Sequence, residues 1–155
     1  MKPIGIIHSP FTDPENMPIQ PVGATGNSGT VEVFQEFSEG LKDLDGFSHI
    51  YLIYEFHKQE KEKLRVVPFM DSEEHGIFAT RSPARPNKIG ISIVKLLSVE
   101  ENILTVENID ILDETPLLDI KPYIKNFDFV QDSTTGWMKS SVTEVKRKRS
   151  DNRFK

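Results

Sequence analysis

Between Gly76 and Ser92 the chain gathers Arg81, Arg85 and Lys88 around two prolines, Pro83 and Pro86, with an apolar run on either side. Each proline fixes φ and removes a backbone donor, so this stretch is neither helix nor central strand. It reads as a stiff loop that holds Arg81, Arg85 and Asn87 at defined positions. A guanidinium fork held in this way suits a carboxylate or a phosphate. A proline-rich turn with solvated basic residues has the same composition, and composition leaves the two readings open.

Other chemistry-bearing residues are weaker signals. His8, His49 and His75 show no His-x-x-x-His or His-x-Glu spacing, and with no cysteine in the chain no metal site is expected. Ser9, Ser48 and Ser82 lack a nucleophile elbow, so hydrolase chemistry has no support. Asp119 and Lys121 stand two apart on an expected strand and so share a face, where a surface ion pair is at least as natural as catalysis. Gly23, Gly26 and Gly29 hint at a phosphate cradle, but Thr30 to Phe34 alternates like a strand, and a phosphate loop must run into a helix.

The elements that must position these residues are mostly strands. Pro3–Ile7, Thr30–Phe34, Phe47–Phe56, Leu64–Val67, Gly76–Thr80, Ile89–Val99, Asn102–Glu107 and Pro116–Ile120 are short, apolar or alternating. In Phe47–Phe56 the residues Ile50, Leu52, Tyr54 and Phe56 fall on one face. Gln35–Leu44 has Phe37, Leu41 and Leu44 at helical spacing and reads as one short helix. Ser9–Gly29 is a long loop, and Glu100-Glu101-Asn102 a hairpin turn. This pattern predicts an all-β fold, a compact β-barrel with one short helix and long loops.

At 155 residues the chain is read as one domain, residues 1–140, followed by a basic C-terminal tail, 141–155. The formal net charge of −5 hides an asymmetry: Lys146 to Lys155 holds six basic residues and one acidic one. Such a tail on an acidic body points to polyanion contact, or to a frayed, solvated terminus. No apolar run approaches a membrane span, and the opening residues are too short for a signal sequence, so a cytoplasmic protein is expected.

Four blocks together resemble the TsaA-like family, which includes the TrmO-type tRNA methyltransferases. They are Ile4-Gly5-Ile6-Ile7-His8-Ser9-Pro10-Phe11, Leu44-Asp45-Gly46-Phe47-Ser48-His49-Ile50, Ala79-Thr80-Arg81-Ser82 with Arg85-Pro86-Asn87 and Ile89-Gly90, and Asp113 to Tyr123. They occur in the family's order from residue 4 to about residue 123. The resemblance implies a dimeric barrel that binds S-adenosyl-L-methionine. The glycine-rich strand-to-helix turn of a doubly wound sheet is absent, so the residues alone do not name this ligand.

The resemblance also implies site residues. Cofactor binding falls on Pro18, Ile19 and Gln20, on His57 and Lys58, on Arg81 and Ile91, and on Asp110, Ile111, Leu112 and Asp113. Two positions depart from the family: Ile19 stands where it has arginine, and Glu114 where it has glycine. Arg85, Asn87 and Lys88 are expected to meet the substrate, the anticodon loop of a tRNA. The implied reaction is N6-methylation of threonylcarbamoyladenosine, with Asp113, Lys121 and Tyr123 as candidates to take the N6 proton. The alternative is a module that binds S-adenosyl-L-methionine and acts on another substrate, or senses the cofactor.

Overall fold

A computed structural model describes residues 1–154. Lys155, the last residue of the expected tail, lies outside the described residues. Six strands form a closed, fully antiparallel barrel in the order β1 (Gly5–His8), β2 (Ser28–Val33), β7 (Ile103–Glu107), β6 (Ile89–Glu100), β3 (His49–Glu55) and β8 (Thr115–Pro122), with β8 returning to β1. The short strands β4 (Arg65–Val66) and β5 (His75–Gly76) form a separate two-stranded ribbon.

Alternation explains the barrel. Successive side chains of a strand point to opposite faces. Ile50, Leu52 and Tyr54 of β3 turn inward, and so do Val31 and Val33 of β2, Val94 and Leu96 of β6, Leu104 and Val106 of β7, and Leu117 of β8. Burying one such side chain stabilises the fold by about 1.5–3 kcal/mol. The twelve-residue β6 is shared, pairing with β3 through its first half and with β7 through its second. Register shifts at Ile53/Tyr54 and at Leu96/Ser98 bend the sheet enough to close it.

Two expectations are corrected. Gln35–Leu44 is not one helix: Gln35–Leu41 and Leu44–Gly46 are separate 3-10 turns. Asp43 adopts φ +66° between them and breaks the run, while Leu41 and Leu44 still reach the core. Gly76–Thr80 is not a strand beyond Gly76. Ile77–Ala79 closes into a 3-10 turn in which the Thr80 hydroxyl donates to the Ile77 carbonyl at 2.9 Å.

Residues 141–154 fold back onto the body. Ser141 and Glu144 form a reciprocal cap at the start of helix α2 (Val142–Arg147), which follows the shorter α1 (Lys125–Asp128). Beyond α2, Arg149 bridges to Pro18. The Ser150 hydroxyl donates to the Pro14 carbonyl at 2.6 Å and accepts the Met17 N–H at 2.9 Å. Arg153 donates to the Pro68 carbonyl, and Phe154 packs edge-on against Phe69.

Candidate functional site

One end of the barrel collects the end of β3, the start of β6, the start of β8 and the segment 109–114 that follows β7. Loops fill the space above it. The 3-10 turn Pro21–Ala24 seats Ala24 in the interior and ends the segment that carries Pro18, Ile19 and Gln20. The Pro83/Pro86 loop arrives from the other side. Arg81 and Gln20 meet there: the Arg81 guanidinium donates to the Gln20 side-chain oxygen at 2.7 Å.

Beneath this pair runs a chain of polar groups. The Ser92 hydroxyl, 2% exposed, donates to the Asp110 carboxylate at 2.7 Å and lies 3.1 Å from the Tyr54 hydroxyl. With the Ser92 proton given to Asp110, Tyr54 must donate to Ser92. Burial pushes the Asp110 carboxyl up to about 6, against the opposing pull of the Ser92 hydrogen bond and the Arg81 charge. Burial, and then the Asp110 charge, raise the Tyr54 phenol, which stays protonated. Gly90 makes room for this arrangement, because a Cβ there would overlap the Tyr54 ring.

His57 stands at the exit of β3. The Thr115 hydroxyl donates to the Leu112 carbonyl at 2.7 Å, so toward His57 Nδ1, 3.3 Å away, it can only accept. Nδ1 therefore carries the proton. Burial, and then Lys58, lower the imidazole below its ordinary value, which keeps the ring neutral. Its Nε2 is a buried lone pair with no partner among the described residues. A buried acceptor without a donor is costly, and a ligand donor would relieve the cost.

The remaining expected residues divide by role. Ile111 is 2% exposed and belongs to the core, so only its backbone is available, and its carbonyl accepts from Ser9. Asp113 accepts the Ser9 N–H at 3.0 Å and lies 3.5 Å from His8, tying the end of β1 to this loop. Pro18 is buried against the C-terminal segment, and Lys58 is exposed. Ile91 points outward from β6, 49% exposed, away from Ser92 and Asp110. Arg85 turns inward to donate to the carbonyls of Ile77 and Thr80, at 3.1 and 2.7 Å, while the Asn87 side chain is exposed. Lys88 is half-exposed beside it.

Lys121 and Tyr123 are not brought to this end. They lie six and eight residues beyond Thr115, toward and just past the far end of β8, or about 20 and 26 Å along an extended chain. There Lys121 pairs with Asp119 at 3.1 Å and Tyr123 packs on Tyr51 and His49. Glu114 adopts φ +59°, the left-handed conformation that glycine takes freely.

Three residues that shape this end of the barrel carry no clear signal in the sequence. Ser92 and Tyr54 looked like ordinary strand residues. The role of Ser150 carried no signal, although Ser141-x-x-Glu144 ahead of Val145 is a helix-start pattern. Two clefts of about 600 and 630 Å³ lie elsewhere, one at the turn Gln35–Leu41 and one between Phe69 and Lys148. No group of side chains suited to a metal ion occurs among the described residues, nor a helix long and apolar enough to cross a membrane.

The tRNA-methyltransferase O N-terminal domain model matches residues 6–129. A probable S-adenosyl-L-methionine-binding protein of Pyrococcus abyssi is 55% identical over 153 residues, covering 99% of this chain and 83% of the relative. The tRNA (adenine(37)-N6)-methyltransferase of Mus musculus is 35% identical over 138 residues, 84% of this chain but 32% of the relative. The crystal structure of TrmO from Pseudomonas aeruginosa matches with a TM-score of 0.73 and 39% identity, over 87% of this chain and 60% of that one.

Proposed function

This chain belongs to the tRNA-methyltransferase O N-terminal-domain family, and from that premise we propose that it binds S-adenosyl-L-methionine at the Arg81 end of the barrel and methylates N6 of an adenosine in tRNA. The observation that carries the reading is the convergence of Gln20, Arg81 and Asp110, with the unpartnered Nε2 of His57 on the neighbouring strand exit. These groups fit the cofactor's chemistry. A guanidinium matches its carboxylate, a carboxylate matches a cation, and an orphaned acceptor matches an amine or adenine donor.

When bound, S-adenosyl-L-methionine supplies a methyl group on a sulfonium cation. Arg81, held by Gln20, fixes the amino-acid head. Asp110, aimed by Ser92, provides negative charge. Alignment of the two reactants is the main contribution the protein makes, and it is worth about 7–11 kcal/mol in well-oriented reactions. Of the three groups weighed for the N6 proton, Asp113 stands at this end of the barrel, though one of its oxygens already holds Ser9.

The reading includes a homodimer in the cytoplasm. The outer face of β6, with Ile91, Ile93 and Leu97 between 37% and 49% exposed, is the apolar surface that a second copy would cover. Nucleoside analysis of tRNA after incubation with the protein and S-adenosyl-L-methionine tests the reaction. Appearance of N6-methylated threonylcarbamoyladenosine supports it. Saturable cofactor binding with unmodified tRNA favours the alternative, a binding module with another substrate or a sensing role.

A further inference from the structure

Phe78 is 76% exposed, yet it sits on one of the most firmly tethered turns of the molecule. Its neighbour Ile77 is 1% exposed and packs with Val66 and Ala84. Three carbonyls around it are engaged. Ile77 accepts from Arg85 and from the Thr80 hydroxyl, Thr80 from Arg85, and Ala79 from the Trp137 indole N–H at 2.8 Å. Trp137 is in turn stacked on His75 at 4.4 Å, and His75 is paired with Asp71 at 2.7 Å. The phenyl ring therefore projects from a fixed base.

Its surroundings are cationic. The Arg85 guanidinium lies 5.8 Å from the ring centroid, and Arg81 is three residues on. From Gly76 to Ser92 there are three basic residues and no acidic one, in a chain of net charge −5. Of the acids just N-terminal to it, Glu74 is paired with Arg65 and Asp71 with His75, while Glu73 is exposed. Phe127 and Phe129 are comparably exposed, at 79% and 62%, but they flank Asp128 and stand beyond the far end of β8. A rigid exposed ring beside guanidinium groups is what single-stranded nucleic acid stacks upon.

We propose that Phe78 is a stacking platform for an unpaired base of the RNA substrate, with Arg85 and Lys88 of the same loop meeting the adjoining phosphates. The proposal rests on the tRNA-methyltransferase reading above. It places the base on the loop that carries Arg81, so that stacking there orients a neighbouring nucleotide toward the cofactor end. Phe78 is a positioning residue in this account: it touches substrate but no reacting atom of the cofactor.

The test compares wild-type protein with Phe78→Ala and Phe78→Trp. It uses tRNA methyl-transfer kinetics, S-adenosyl-L-methionine calorimetry and light scattering. Phe78→Ala is expected to raise KM for tRNA by about 5- to 150-fold, the range typical of one lost base–aromatic stack. Its cofactor affinity and oligomeric state should stay unchanged, and Phe78→Trp should restore KM. Wild-type KM in Phe78→Ala overturns the proposal. So does a change of oligomeric state in that variant, which would make the ring a protein contact. Absence of tRNA methylation by wild-type protein that still binds cofactor overturns the underlying reading instead, and the stacking proposal falls with it.

Discussion

Arg81 and Gln20, sixty-one positions apart in sequence, are joined by a 2.7 Å hydrogen bond that links the proline-rich loop to the loop ahead of β2. The bond fixes the guanidinium over the polar chain of Tyr54, Ser92 and Asp110, whose ionisation it influences. Both loops are otherwise anchored independently, so their meeting point belongs to the tertiary fold.

Arg81 is exposed, so its loss should leave the fold intact. Arg81→Ala is expected to weaken S-adenosyl-L-methionine binding by at least about tenfold, the value of a charge-assisted hydrogen bond. Gln20→Ala should cost less. The double variant should be no weaker than Arg81→Ala alone, since Gln20 acts through Arg81. Calorimetry on the double-mutant cycle checks this, and strictly additive losses would contradict it.

Asp110 gives a pH dependence whose sign follows from its raised value of about 6. The folded state holds this proton between about pH 4 and 6, where the unfolded chain has released it. The contribution of Asp110 to stability therefore falls as pH rises through that window. A cationic ligand favours the carboxylate, so affinity for S-adenosyl-L-methionine should drop as pH falls below 6. The neutral thioether product, S-adenosylhomocysteine, should show much less dependence. Asp110→Asn should abolish the difference between the two ligands; calorimetry at pH 5 and pH 7.5 measures it.

Ser150 holds the loop that leads to Gln20. Removing its hydroxyl strands the Met17 N–H and the Pro14 carbonyl. Ser150→Ala is expected to cost about 1–3 kcal/mol of stability or local order and to weaken cofactor binding. Hydrogen exchange at residues 14–20 with parallel calorimetry would detect both. The C-terminal segment thus supports this loop through its backbone and Ser150.

Glu114 carries left-handed strain at φ +59°. Glu114→Gly should raise stability by up to about 1 kcal/mol, because glycine adopts this conformation without a Cβ penalty. Urea unfolding of the two proteins checks the sign.

The barrel was legible because alternation on β3, β6 and β7 reports directly which residues face inward. The helix expected over Gln35–Leu44 was not legible. Spacings of three and four over two turns suit 3-10 and α geometry alike, and the left-handed Asp43 that divides the segment leaves no mark in the pattern. In the site, Arg81 and Asp110 stood out by motif. Their partners Ser92, Tyr54 and Ser150 did not, since a hydrogen bond between distant loops is set by the closed fold. The distance of Lys121 and Tyr123 from Thr115 likewise follows from β8 running the length of the barrel wall.

The central claim is that the Arg81 end of the barrel holds S-adenosyl-L-methionine. Titration calorimetry of the folded wild-type protein tests it most directly. Saturable binding near one ligand per chain is expected, weakened at least about tenfold in Arg81→Ala. No binding by correctly folded wild-type protein, or wild-type affinity in Arg81→Ala, would contradict it.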